Sequence, residues 1–170
     1  MATYKSDTDL CAASGHLAFE MSQCNYTIRR LATKDYGEDV FLHNTLLTSF
    51  TIHARNLEDF LFGKQKYSDD MIASHYFDNP SIWRTVCPKP SKTLDIATQK
   101  VNKLTAHLTY TRETNKGFYW LWVDIHKDLY EIIGKFVDNV PQNRIDRYIA
   151  EFRNDWGWSA QLPHSNQFQL

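Results

Sequence analysis

A helical bundle is the fold this sequence predicts, on three observations. Apolar residues recur at the helical step in every long segment. Gly, Pro and capping residues punctuate those segments. No run alternates apolar and polar residues as a half-buried strand would; the WLWV run lies inside a helical stripe. The expected class is all-α: a bundle of four long helices, short helices crossing it at about 69–86, and a C-terminal helix. Residues 1–156 are read as one domain and 157–170 as a loosely ordered polar tail.

The first helix is expected from about Thr8 to Ala32. Ser6 and Asp9 have the spacing of a capping box, and Leu10, Ala13, Leu17, Met21, Cys24, Ile28 and Leu31 form its apolar stripe. The second runs from about Glu38 to Phe62 and stops at Gly63. Its stripe is Leu42, Leu46, Phe50, Leu57, Phe60 and Leu61, with His53 inside it. Arg55 lies on the opposite side with Thr48, Ile52, Asp59 and Phe62. A helix apolar on both sides is expected to be central, with neighbours on each face. On that expectation His53 and Arg55 are buried, and a buried ionisable group needs a partner.

Ser68 is expected to cap a short helix, Asp69 to Phe77, whose acidic first turn suits the helix macrodipole. Asn79-Pro80 opens another piece, Ser81 to Val86, and Pro88 and Pro90 forbid its continuation. Ser91 caps a helix from about Lys92 to Thr114, striped by Leu94, Ala97, Val101, Leu104 and Leu108. The next, about Phe118 to Val140, has the cleanest stripe: Phe118, Trp122, Ile125, Leu129, Ile132, Ile133, Phe136 and Val140. Pro141 ends it, and a last helix follows from about Gln142 to Trp156. The connection from Gly63 to Ser91 is long for adjacent antiparallel helices, whose loops run ~2–8 residues. The helices on either side of it, about Glu38–Phe62 and Lys92–Thr114, are therefore expected to lie parallel.

A chain of 170 residues needs no disulfide or structural metal to close a core, since a domain near that size buries roughly 70% of its unfolded surface. The formal net charge is -1 and no long Lys/Arg run occurs, so strong non-specific nucleic-acid binding is not expected. Cys11, Cys24 and Cys87 form no C-x-x-C pair and fit free thiols in a reducing compartment. The polar start and the lack of a long apolar run predict a cytoplasmic protein without membrane association. Self-association is compatible with this composition, and no cofactor is expected.

Three groups of residues could carry chemistry. Arg55 and Asp59 are four apart and can pair along one helix. In the bland reading they fix the helix to a neighbour. In the sharper one Arg55 grips an anion bidentately, with His107 and Arg112 beside it in a small basic pocket for a phosphate-bearing ligand. Asp69, Asp70 and His75 have no helical metal spacing. A bundle metal site from His53, His75 and His107 is the weaker alternative and rests on no spacing signature. His16, His43, His126 and His164 form no cluster. Trp83, Tyr119, Trp120 and Trp122 are read as packing residues before base-stacking ones. No phosphate-binding glycine loop or nucleophile elbow occurs.

The stretches HARNLEDFLF, YSDDMIASHYF and AHLTYTR resemble an uncharacterised family of small bacterial all-helical proteins over about residues 40–140. That resemblance implies a helical fold and no activity. The plan is also loosely similar to the higher-eukaryote and prokaryote nucleotide-binding (HEPN) domains, many of them RNases. Their signature is an Arg followed by a His four to six residues on. Arg55-Asn56 begins that pattern, but no His follows at the distance. The leading expectation is a helical binding or interaction protein with an anion or nucleotide pocket at His53, Arg55, Asp59, His107 and Arg112. The alternative is a nuclease or nucleotide-acting enzyme of a defence or toxin system, with a His as acid or base and the arginines on phosphate.

Overall fold

The fold follows from which faces of the helices find partners. It is seen in a computed structural model that describes residues 5–101, 119–149, 151 and 168–169. Its elements are α1 (Asp7–Ala32), α2 (Val40–Phe62), a 3₁₀ turn at Ala73–Tyr76, α3 (Pro80–Val86), α4 (Lys92–Val101), β1 (Tyr119–Trp120), α5 (Trp122–Asn139), a 3₁₀ turn at Gln142–Arg144 and β2 (Phe168–Gln169). The class is all-α. The two short strands pair antiparallel, Tyr119 with Gln169 and Trp120 with Phe168.

Local signals set the helix ends. Ser6 Oγ accepts the Asp9 N–H at 3.1 Å and the Ser6 N–H donates to the Asp9 carboxylate at 3.2 Å, a reciprocal capping box. Asp39 caps α2 by accepting from the Phe41 and Leu42 N–H groups, both at 2.9 Å. Between α1 and α2, Lys34 and Gly37 take φ of 55° and 53°; the chain reverses there through a left-handed conformation that costs Gly37 nothing and Lys34 a little. At the far end of α2 a Cβ on Gly63 would fall 2.1 Å from the Asp59 carbonyl oxygen. Asn79 caps α3, with Pro80 in its first turn. Ser91 Oγ accepts the Leu94 N–H at the start of α4 and donates to Asp128 of α5.

α1 and α2 form a hairpin, and α5 packs against both. The stripes of α1, α2, α4 and α5 meet in one core in which Met21, Cys24, Ile28, Leu47, Phe50, Leu57, Leu129 and Phe136 are wholly enclosed. Phe136 organises one end of it. Phe60, Tyr76, Trp83 and Phe77 surround its ring edge-to-face, with centroids at 5.2, 5.6, 5.6 and 6.0 Å. The Trp83 indole N–H donates to the Leu61 carbonyl at 2.8 Å, and the Tyr76 hydroxyl donates to that of Leu10 at 3.2 Å.

Four expectations need correction. No helix starts at Asp69: the Asp70 carboxylate folds back to accept the Lys66 and Tyr67 N–H groups at 2.6 and 2.8 Å, and only the 3₁₀ turn Ala73–Tyr76 forms. α5 starts at Trp122, not Phe118, because Tyr119–Trp120 is extended and paired. The segment after Pro141 is not one continuous helix, since Ile145 is extended at φ -121° and ψ 145°. There the chain is tied down elsewhere: Arg144 donates to Asp7 at 2.6 Å, to the Tyr76 carbonyl at 3.1 Å and to Asp78. The Asp146 N–H donates to Ser14 Oγ at 2.7 Å.

The fourth correction is one of direction. Asp95, in the first turn of α4, acts on Glu58 near the end of α2. Val101, at the other end, shares a narrow apolar crevice with Phe50, Thr51, Ala54 and Arg55. α4 therefore runs opposite to α2, not parallel to it. The long connection is spent on the turn and α3, which close the end of the core over Phe136.

Replacing Phe136 by Ala removes the common neighbour of four aromatic rings. Urea unfolding should show a loss of about 3–5 kcal/mol.

Candidate functional site

His53 is placed by α2 against the middle of α1. Its Nδ1–H donates to Glu20 Oε2 at 2.7 Å, and the same oxygen accepts from Asn56 Nδ2 at 3.1 Å. A carboxylate can only accept, so the neutral ring carries its proton on Nδ1 and offers Nε2 as an acceptor. No other residue among those described bonds the ring, and Nε2 is not buried. The side chains of His53 and Glu20 are 16% and 24% exposed. The Phe19 ring packs nearly perpendicular to the imidazole at a centroid distance of 5.9 Å.

His53 ends a shallow, open groove lined along α2 by Phe41, Asn44, Thr45, Thr48, Ser49 and Ile52. None of these carries a charge. The surroundings extend that pattern: between Asp39 and Arg55 the sequence has no Asp, Glu, Lys or Arg, and between Asp9 and Arg29 it has only Glu20. Phe19 and Tyr26 of α1 are each 55% exposed and Phe41 of α2 is 82% exposed, with Val40 and Ile52 also outward. α2 is therefore not central on both sides, as its sequence led one to expect. Its Thr48–Ile52 side is open.

Arg55 and Asp59 do pair, at 3.3 Å, but their side chains are 36% and 54% exposed. Arg55 is not the buried cation expected from the sequence. An exposed pair of this spacing contributes about 0.2–1 kcal/mol, not the ~3–5 kcal/mol that breaking a buried pair costs. Arg55 borders the crevice between α2 and α4, whereas His53 bonds α1. Two positions two residues apart on a helix point about 200° apart, which separates them into different sites. His107 and Arg112 lie outside the described residues. His75 is half-buried on the 3₁₀ turn, and burial lowers its pKa, with Lys5 adding to the effect. Among the described residues no group of three or more His, Cys, Asp or Glu could hold a metal ion, and no helix is long and apolar enough to cross a membrane.

Two acids, Glu20 and Glu58, escaped the sequence reading, and His126 was given no role in it. Glu20 had a signal, as the lone charge in a long uncharged stretch. Glu58 is pushed up to about 7 by burial, then by Asp59 and Asp95, with Arg55 opposing. His126 is fully enclosed on α5, and its pKa is driven down to about 3 by burial and by Arg29. Comparison of the chain with protein-family models, with curated proteins and with solved structures finds no match.

His126 gives a pH dependence with a definite sign. Its folded pKa lies below the unfolded value near 6.5, so the unfolded chain binds a proton that the folded chain refuses. Stability is retained above pH 6.5 and falls as the pH drops from there toward 3. Glu58 acts the other way: its folded pKa is raised, so its contribution is present below about pH 4.5 and is lost as pH rises through 7. Chemical denaturation at pH 7 and pH 5 should show His126→Leu losing less stability on acidification than the parent, by up to about 2 kcal/mol.

Proposed function

We propose that the protein is a helical interaction protein whose contact surface is the outer side of the α1–α2 hairpin. The observation that carries this reading is the uncharged face described above. Phe19, Tyr26, Phe41 and Ile52 stand outward there, and the His53 imidazole offers one unengaged nitrogen at its centre. Exposed aromatic groups around a fixed polar group are what a protein interface requires of its anchors.

The groove is open and shallow, whereas small-molecule sites enclose most of their ligand. It also offers no cation, so it suits a protein surface better than a phosphate-bearing ligand. The anion or nucleotide pocket would use Arg55, His107 and Arg112; Arg55 lies past the end of the uncharged stretch, beside α4, and Asp59 already answers its charge. A nuclease reading would draw on the same residues and lacks the Arg-to-His spacing.

The test is partner recovery from the source cells with the parent chain, with Phe41→Lys/Ile52→Lys, and with Arg55→Ala. Both substituted positions on the first variant face water, so its stability should change by no more than about 0.5 kcal/mol per site. The expected result is a partner held by the parent and by Arg55→Ala and lost by the double-lysine variant. A partner kept by the double-lysine variant and lost by Arg55→Ala would place recognition at the Arg55–Asp59 pair beside α4 and overturn the proposal.

A further inference from the structure

We infer that the outer seam of α1 is a self-association surface on which a second copy of this chain packs antiparallel, about a two-fold axis at Phe19. This rests on the reading of the α1–α2 face as a contact surface and names its occupant.

The exposed or half-exposed residues Ala12, His16, Phe19, Gln23, Tyr26 and Arg30 follow one another at steps of four and three. That is the spacing of a seam by which one helix packs on another. Nothing on it is charged between Asp9 and Arg29, because the one acid in that stretch, Glu20, is turned toward His53 and Asn56 of α2. The ends of the same helix are charged with opposite sign: Asp7 and Asp9 in the first turn, Arg29 and Arg30 in the last.

A two-fold axis at Phe19 exploits this polarity. It sets residue 19 + n of one copy against residue 19 − n of the other. Phe19 then meets Phe19. Tyr26 faces Ala12 of the second copy, and Gln23 faces Gly15, so each large side chain is met by a small one. A Cβ placed on Gly15 has open space around it, which leaves room for an approaching side chain. Arg29 of one copy falls opposite Asp9 of the other, at both ends of the seam. An isologous contact needs a surface complementary to itself, and a helix acidic at its start, uncharged in its middle and basic at its end is such a surface when turned end for end. A parallel pairing would set Arg29 against Arg29 and Asp9 against Asp9. A foreign partner bearing a charged face would have to bury those charges against Phe19 and Tyr26 without an answer.

The face includes the His53 groove. Phe19 packs nearly perpendicular to the imidazole, so the axis brings the two grooves to either side of one seam and gives each an added wall from the other copy.

Sedimentation of the full-length chain over a range of concentrations tests the inference. The parent should sediment as a dimer at high concentration. Phe19→Lys, which places two ammonium groups at the axis, should weaken association at least about 100-fold. Tyr26→Lys, off the axis and equally exposed, should do the same and guards against misfolding of the first variant. Arg29→Glu should weaken it about tenfold at low ionic strength and less at high salt. A parent chain that is monomeric at every concentration overturns the inference. So does a dimer that survives both lysine substitutions. If the chain is monomeric while partner recovery is still lost in Phe41→Lys/Ile52→Lys, self-association fails and the contact surface stands. If a dimer forms through Phe19 while those two substitutions leave partner recovery unchanged, the surface serves the second copy alone.

Discussion

One ring sits where most of the architecture meets. Phe136 of α5 is enclosed by Phe60 from α2, Tyr76 and Phe77 from the connection, and Trp83 from α3. Without that cluster the connection from α2 to α4 would have nothing to fold onto. With it, the chain closes one end of the core, delivers Ser91 to Asp128 and lets α4 return along α2. The Arg144 contacts to Asp7, Asp78 and the Tyr76 carbonyl fasten the same end from outside.

The aromatic end decides which helix faces remain outside. α5 and α4 cover one side of α2, and α1 covers another. The Thr48–Ile52 side of α2 and the Ala12–Tyr26 seam of α1 are left outward. Phe19, Tyr26, Phe41 and Ile52 stand outward there on a surface without Asp, Glu, Lys or Arg. The hydrogen-bonded cluster beneath it has a positional role: Glu20 holds His53 and Asn56 at the α1–α2 seam, so the lone acid of the stretch does not interrupt the outer face.

The helices themselves were legible because burial on one face prints itself at the helical step. Leu17, Met21, Cys24 and Ile28, or Leu129, Ile133 and Phe136, needed no structure to be read as core. The capping residues Ser6, Asn79 and Ser91 were equally plain, since each satisfies backbone N–H groups within a few residues of itself. What failed was set by contacts distant in sequence. Asp69-Asp70 reads as a helix start, yet Asp70 satisfies two backbone groups upstream of it. The long connection reads as a crossover to a parallel helix, but its length goes into the aromatic cap. Arg55 lies on a side of α2 that looked covered because Ile52 and Phe62 share it, and Ile52 proved to face water.

Within the candidate site, the sequence marked His53 as an ionisable group on an apolar stripe and could not supply its partner, since Glu20 lies thirty-three positions away on another helix. Periodicity gives the face of a residue on its own helix and says nothing of which helix meets it. The same limit explains why the apolar second side of α2 was read as a packing face. A buried face and a face kept for a partner have the same composition, and only the fold tells them apart.

Hydroxyl-radical footprinting tests the central claim most directly, because it reads the solvent exposure of single aromatic side chains. Labelling would be compared between dilute purified protein and the protein at its working concentration in cells. Protection of Phe19, Tyr26 and Phe41 in cells, with Tyr67, which is 71% exposed and lies off the face, labelled equally in both, is the result expected of a covered contact surface. Equal labelling of all four residues in both conditions would contradict it.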